Sequence, residues 1–185
     1  MTARALIAVA DGVEDLETVT LIDVLRRAEV EVVIASIENR RMFTAARGTR
    51  LTADAMLVDV LAQDFDLIVL PGGMPGAQHL ADHAPLADKV REQARAGKLF
   101  AAICAAPALA LQGYGVLKQR RMTCYPAFSD RLSGCTFVDQ PVVVDGNCIT
   151  SQGPGTALEF ALTLVEQLVG KGKRRAVAEA MLVPA

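Results

Sequence analysis

The chain has 185 residues, of which 52% are apolar and 22% charged. That balance excludes a disordered polypeptide, and the length fits one domain, residues 1–185, large enough to bury a core without disulfides or a structural metal. A net charge of −2, with basic residues scattered along the sequence, excludes a phosphate-tracking surface.

The first apolar run covers residues 5–10. It is short and stops at Asp11-Gly12, so the start of the sequence reads as a strand rather than a signal peptide. Runs rich in Val, Ile and Leu follow at residues 30–36, 67–70 and 99–103, each leading into a turn and mostly into a helical pattern. They predict parallel strands covered on both faces. Between the first two, residues 14–28 form a broad helical stripe carrying Leu16, Val19, Leu21, Val24 and Leu25. Glu14, Asp15 and Glu17 occupy its first turn, where the helix dipole favours acids. The apolar residues spread beyond one narrow stripe, so part of this helix is expected to pack against a symmetry mate.

Residues 40–52 lack helical periodicity and contain Gly48, which predicts a small hairpin or irregular excursion ahead of a short helix near residues 55–61. Residues 105–111 are expected to continue as a helix, residues 122–124 as a short strand, and residues 142–150 as two strands joined by a turn at Asp145-Gly146. Residues 155–169 make the last strongly periodic helix, and the basic run Lys171-Gly-Lys-Arg-Arg175 reads as its last turn and solvated neighbours. No apolar run reaches the roughly 18 residues that a membrane span needs.

An open parallel sheet binds ligands outside the carboxyl ends of its strands. Residues 11–17, 71–76, 103–106 and 151–155 should therefore meet. Within them, Ala101-Ala-Ile-Cys-Ala-Ala-Pro107 sets Cys104 between a buried strand and a helix, with small neighbours that permit a sharp turn and helix N–H groups that favour a thiolate. An inert buried thiol is the competing reading, and position alone does not decide between them. The glycines of Leu70-Pro-Gly-Gly-Met-Pro-Gly76 can bring backbone N–H groups to a reacting oxygen and, with Ala105 N–H, form an oxyanion hole; alone, this segment reads equally as a tight turn. Glu17 lies on the same edge as Cys104. A protonated, desolvated carboxyl there would donate a hydrogen bond to the sulfur, whereas on sequence alone a water-facing helix acid is the simpler account.

Four blocks in order, Asp11-Gly-Val-Glu-Asp-Leu-Glu-Thr18, Leu70-Pro-Gly-Gly-Met-Pro-Gly-Ala77, Ala101-Ala-Ile-Cys-Ala-Ala-Pro107 and Thr150-Ser-Gln-Gly-Pro-Gly-Thr156, resemble the ThiJ/PfpI superfamily over nearly the whole chain, in particular its branch containing the Parkinson-disease protein and bacterial YajL. The resemblance implies a flavodoxin-like α/β three-layer sandwich with a mostly parallel central sheet, a cytoplasmic homodimer and no cofactor. It implies Cys104 as nucleophile and redox-sensitive thiol, Glu17 as its protonated partner, and the N–H groups of Gly73 and Ala105 as oxyanion donors, with Gly72, Tyr125 and Pro154 nearby. Similar proteins act as glyoxalases or deglycases on methylglyoxal, glyoxal and their protein or nucleotide adducts, as oxidative-stress proteins and as chaperones; some carry a thiazole monophosphate biosynthesis label. Nucleic acid enters only as a deglycation substrate.

The sequence departs from that pattern at Thr123-Cys-Tyr-Pro126, where Tyr125 takes the position of a family histidine, so a histidine general base is missing. The two histidines, His79 and His83, are spaced as a pair on a solvated helix face, with no third metal ligand indicated. Arg26, Arg27 and Arg47 resemble basic positions near the site or dimer contact in relatives and otherwise read as solvated surface. The four cysteines, Cys104, Cys124, Cys135 and Cys148, lack C-x-x-C or regular spacing, which fits reduced thiols, and Cys124, beside Tyr125, is placed to approach Cys104.

Overall fold

The computed structural model describes residues 2–184. Its centre is a seven-stranded sheet. The strands in chain order are β1 (Arg4–Val9), β2 (Glu31–Ser36), β5 (Ala55–Met56), β6 (Leu67–Leu70), β7 (Leu99–Ile103), β10 (Val142–Asp145) and β11 (Cys148–Ser151). A hairpin of β3 (Met42–Thr44) and β4 (Arg50–Thr52) and a pair of β8 (Arg121–Met122) and β9 (Thr136–Phe137) stand outside it.

The spatial order is β10-β11-β7-β6-β1-β2-β5, with only β10 antiparallel. The apolar runs become the central strands because a parallel strand is covered on both faces; Leu6, Ile7, Ile68, Val69 and Phe100 have no exposed surface. Helices α1 (Asp15–Arg27), α4 (Ala157–Val169) and α5 (Lys171–Ala180) pack together on one face. On the other lie α2 (Gly76–Asp82), α3 (Ala84–Arg95) and the helical segment after Cys104. The chain proceeds from β1 outward through β2 and returns at β6 on β1's other side, so the direction of winding reverses between β1 and β6. Loops at such a reversal diverge and leave a crevice at the carboxyl ends.

Three expectations change. The helix anticipated near residues 55–61 is the edge strand β5 and a single 3-10 turn, Leu57–Asp59, because the free edge of β2 takes up Ala55 and Met56. The segment after Cys104 is helical but π-wound from Pro107 to Leu111. The basic run does not close α4. Gly170, at φ 93, ends that helix, and Lys171 to Arg175 open α5, where Lys173 pairs with Glu29 at 2.8 Å and Arg174 with Glu166 at 3.3 Å. The strands at residues 142–150 form the antiparallel pair β10–β11 as expected, and the strand near residue 122 spans Arg121–Met122. Among the described residues no helix is long and apolar enough to cross a membrane.

Candidate active site

Cys104 directly follows β7 and has φ 64, a left-handed conformation that costs a residue with a Cβ about 1–2 kcal/mol. Its peptide is held from two sides. Cys104 N–H extends the β7–β11 ladder by donating to Ser151 O at 3.0 Å, and Cys104 O accepts from Tyr125 N–H at 2.7 Å. The buried Ala105 and Ala106 leave room for the sharp turn, and the half-buried thiol stands at the mouth of the crevice.

Glu17, in the first turn of α1, is fully buried. It is therefore no water-facing helix acid. Gly72 N–H donates to its Oε2 at 2.8 Å, while Oε1 has no hydrogen-bond partner among the described residues. Gly72 in turn accepts from Glu14 N–H at 2.9 Å, which ties the loop after β1 to the loop after β6. A Cβ on Gly72 would lie 2.5 Å from Cys104 Cβ, 2.8 Å from Ile103 O and 3.0 Å from Glu17 Oε2. Only glycine allows the three residues to meet. Gly73, at φ 89, abuts the backbone of Val13 and Glu14.

Burial pushes Glu17 up to about 7; the Gly72 N–H and the contact with Cys104 pull it down, and Glu14 adds to the rise. Cys104 is pushed up to about 12, first by burial and then by repulsion from an ionised Glu17, whereas the N–H groups of Gly73 and Ala105, aimed at the sulfur, lower it. The thiolate expected from helix N–H groups is therefore disfavoured while Glu17 carries charge, because desolvation outweighs the two donors. With Glu17 protonated the repulsion disappears and the carboxyl becomes a donor. The pair is built to carry one negative charge.

The four segments expected at one sheet edge do converge here. Tyr125 reaches the site through its backbone, with its ring against Gly153 and 44% of the residue exposed. Pro154 begins a 3-10 turn, Pro154–Thr156, after β11, anchored by Ser151 Oγ and Thr156 Oγ1 at 2.7 Å. The histidines do not share a helix face. His79 lies on α2 with Nδ1 3.1 Å from Asp11 O, whereas His83 separates α2 from α3 and caps α3 by accepting from Leu86 N–H. No group of three or more metal-ligating side chains occurs among the described residues. All four cysteines are free thiols, and Cys124 is buried with Sγ on Tyr125 O.

Arg26 pairs with Asp54 at 3.2 Å and Arg27 with Asp23 at 2.8 Å, away from the thiol, while Arg47 stands 3.8 Å from Glu14. Sequence reasoning missed why Arg47 is there. Asp15 accepts from the N–H groups of Arg47 at 2.7 Å and Thr49 at 3.2 Å, and Asp11 accepts from Thr44 N–H at 2.9 Å, strapping the β3–β4 hairpin over the loop after β1. Acidic residues before a helix signalled a dipole effect, and nothing in their spacing named a distant hairpin as partner. A cavity of about 640 Å³ between α4 and α5, lined by Leu158, Leu162, Arg174 and Val183 among others, includes neither Cys104 nor Glu17.

Known proteins are similar to this chain in sequence and in fold. Protein DJ-1 homolog B of Arabidopsis thaliana is 48% identical over 173 residues, covering 93% of this chain and 40% of that protein. The chain spans less than half the length of the Arabidopsis relatives it matches, 46% in the case of DJ-1 homolog A. Glutathione-independent glyoxalase DJR-1.2 of Caenorhabditis elegans is 36% identical over 165 residues, 88% of this chain and 87% of that one. The solved structure of oxidized Toxoplasma gondii DJ-1 superimposes with a TM-score of 0.97 at 38% identity and complete coverage of both chains, and the mostly parallel sheet between two helical layers is the flavodoxin-like α/β fold expected. Residues 3–167 match the DJ-1/PfpI family, and the chain belongs to it.

Proposed function

We propose that this protein is a cofactor-independent, cysteine-dependent glyoxalase that also acts as a deglycase on early adducts of methylglyoxal and glyoxal. The observation that carries the reading is the contact set at Cys104: a thiol held at φ 64, the buried carboxyl of Glu17 beside it, and the N–H groups of Gly73 and Ala105 aimed at the sulfur. The C. elegans relative named as a glutathione-independent glyoxalase supports the substrate class.

In this reading the sulfur adds to the aldehyde carbon of methylglyoxal, and the oxygen takes up the proton to give a hemithioacetal. Glu17 moves the former aldehyde hydrogen, as a proton, to the neighbouring carbonyl carbon through an enediol, leaving a thioester. Water then cleaves the C–S bond, releasing lactate and restoring the thiol, so the net change is addition of one water. Gly73 and Ala105 N–H groups bind the oxygen on which negative charge develops. No histidine takes part, because Tyr125 occupies that position.

Production of lactate from methylglyoxal without glutathione, abolished in Cys104→Ser, is the expected result. Equal lactate formation by wild type and Cys104→Ser would sink the reading. A redox role for the same thiol is favoured by the donors around it. Two equivalents of peroxide would convert the thiolate to a sulfinate with release of two waters, the new oxygens binding the Gly73 and Ala105 N–H groups and the Glu17 carboxyl. Mass spectrometry after graded peroxide would show a gain of two oxygens on Cys104, and no gain there would exclude it. Both roles are proposed for a cytoplasmic homodimer.

A further inference from the structure

We propose that the ring of Tyr125 forms a specificity wall beside Cys104, and that beyond methylglyoxal and glyoxal this site favours substrates with a planar aromatic or heteroaromatic group next to the reacting carbonyls. The inference rests on Cys104 being the reacting nucleophile. Tyr125 N–H donates to Cys104 O at 2.7 Å, which fixes the start of the side chain beside the nucleophile's own peptide. The ring then lies against Gly153, where a Cβ would be 3.4 Å from Cδ2 and 3.9 Å from Cε2, so the glycine offers it a flat support. Gly153 belongs to the loop leaving β11, the strand whose Ser151 O accepts from Cys104 N–H. Both supports of the ring are thus attached to the peptide of Cys104.

The wall extends outward. Tyr125 and Phe128 meet edge to face, with centroids 6.4 Å apart and planes at 63°, and the Arg131 guanidinium lies 5.2 Å from the centre of the Phe128 ring. Despite these contacts 44% of Tyr125 remains exposed. An aromatic ring held by two neighbours with a free surface is suited to a planar partner, and binding sites use such rigid rings because few rotamers are lost on contact. The methyl group of methylglyoxal is too small to cover the ring. An aryl or purine-like substituent would cover it while its carbonyl carbon faces Cys104.

Wild type, Tyr125→Phe and Tyr125→Ala can be compared by labelling with N-phenylmaleimide and N-ethylmaleimide, following by mass spectrometry the modification rate of the peptide that carries Cys104. Comparing the phenyl-to-ethyl rate ratio between variants cancels the intrinsic reactivity of each reagent. The ratio should fall about tenfold in Tyr125→Ala and stay within about twofold of wild type in Tyr125→Phe, which keeps the ring. An unchanged ratio in Tyr125→Ala, an equal fall in Tyr125→Phe, or no labelling of Cys104 by either reagent overturns the proposal. Turnover of phenylglyoxal and methylglyoxal, measured in parallel, reports on the glyoxalase reading. A wild type that converts neither aldehyde but keeps the Tyr125-dependent labelling ratio sinks that reading and leaves the wall standing.

Discussion

Glu17 and Cys104 face each other across Gly72, whose N–H holds one carboxyl oxygen of Glu17 at 2.8 Å and whose Cα approaches the cysteine too closely to carry a side chain. The charge on Glu17 therefore sets the sign of its effect on the thiol. A protonated Glu17 donates to a thiolate, and a hydrogen bond to a charged group is worth about 1.5–3 kcal/mol, so Glu17→Leu should raise the thiol pKa by about one to two units. Glu17→Gln keeps a donor and should raise it less. An ionised Glu17 repels the thiolate, so Glu17→Leu would instead lower the value. Thiolate absorbance followed against pH in the three proteins separates the cases, and identical curves would dissolve the pair.

Gly72→Ala should disable the site without replacing a charged residue. The added methyl meets Cys104 Cβ at 2.5 Å and the rigid carbonyl of Ile103 at 2.8 Å, so backbone must move, at a cost of about 1–3 kcal/mol in urea unfolding. Cys104 alkylation should change with it. Gly155→Ala, with no atom within 4 Å of the new methyl, serves as the comparison and should leave both measurements near wild type.

Cys104→Gly should be more stable than Cys104→Ala by about 1 kcal/mol, because at φ 64 glycine avoids the strain that any Cβ incurs, and that relief outweighs glycine's extra freedom in the unfolded chain. Both lack the thiol. A Cys104→Gly protein less stable than Cys104→Ala would show that the turn is unstrained, since only glycine's entropic cost would then remain.

The central strands were legible because Val-, Ile- and Leu-rich runs of about four to seven residues have few uses outside a covered parallel sheet. The short edge strand was not. Ala55 and Met56 pair only because β2 offers an open edge, and that edge is a property of the assembled sheet. The small neighbours of Cys104 and the helix-start position of Glu17 made them candidates, but local pattern left an inert thiol open and a water-facing acid simpler, and only the four motif blocks taken together favoured the pair. The burial of Glu17, which gives it its raised pKa, depends on the distant Gly72 loop and leaves no mark in local spacing. The same holds for Asp15, whose two acceptor contacts are with residues more than thirty positions away.

Helix α1 leaves Leu16 at 52% and Val19 at 45% exposure, one turn apart. These are the residues that the broad apolar stripe marks for contact with a second copy. Wild type should sediment at twice the chain mass, and Leu16→Asp should shift it toward the chain mass while retaining the far-ultraviolet circular dichroism of a folded protein. A wild-type mass equal to one chain at all concentrations would remove the dimer.

The last expectation concerns pH and stability. Glu17 has a pKa of about 7 in the folded protein, against 4.5 for a solvated glutamate, because burial disfavours its charge. The folded state therefore holds this proton more tightly than the unfolded chain does. Its stabilising contribution is fully present below pH 4.5 and is lost as the pH rises to about 7. At 1.36 kcal/mol per unit, the loss across that window is about 3 kcal/mol. Glu17→Gln cannot ionise and should show none of it, so wild type should weaken relative to Glu17→Gln as pH rises through the window. Urea midpoints measured for both proteins across it provide the comparison. Parallel curves would mean that Glu17 titrates as a solvated acid, and the one-charge pairing with Cys104 would fall with it.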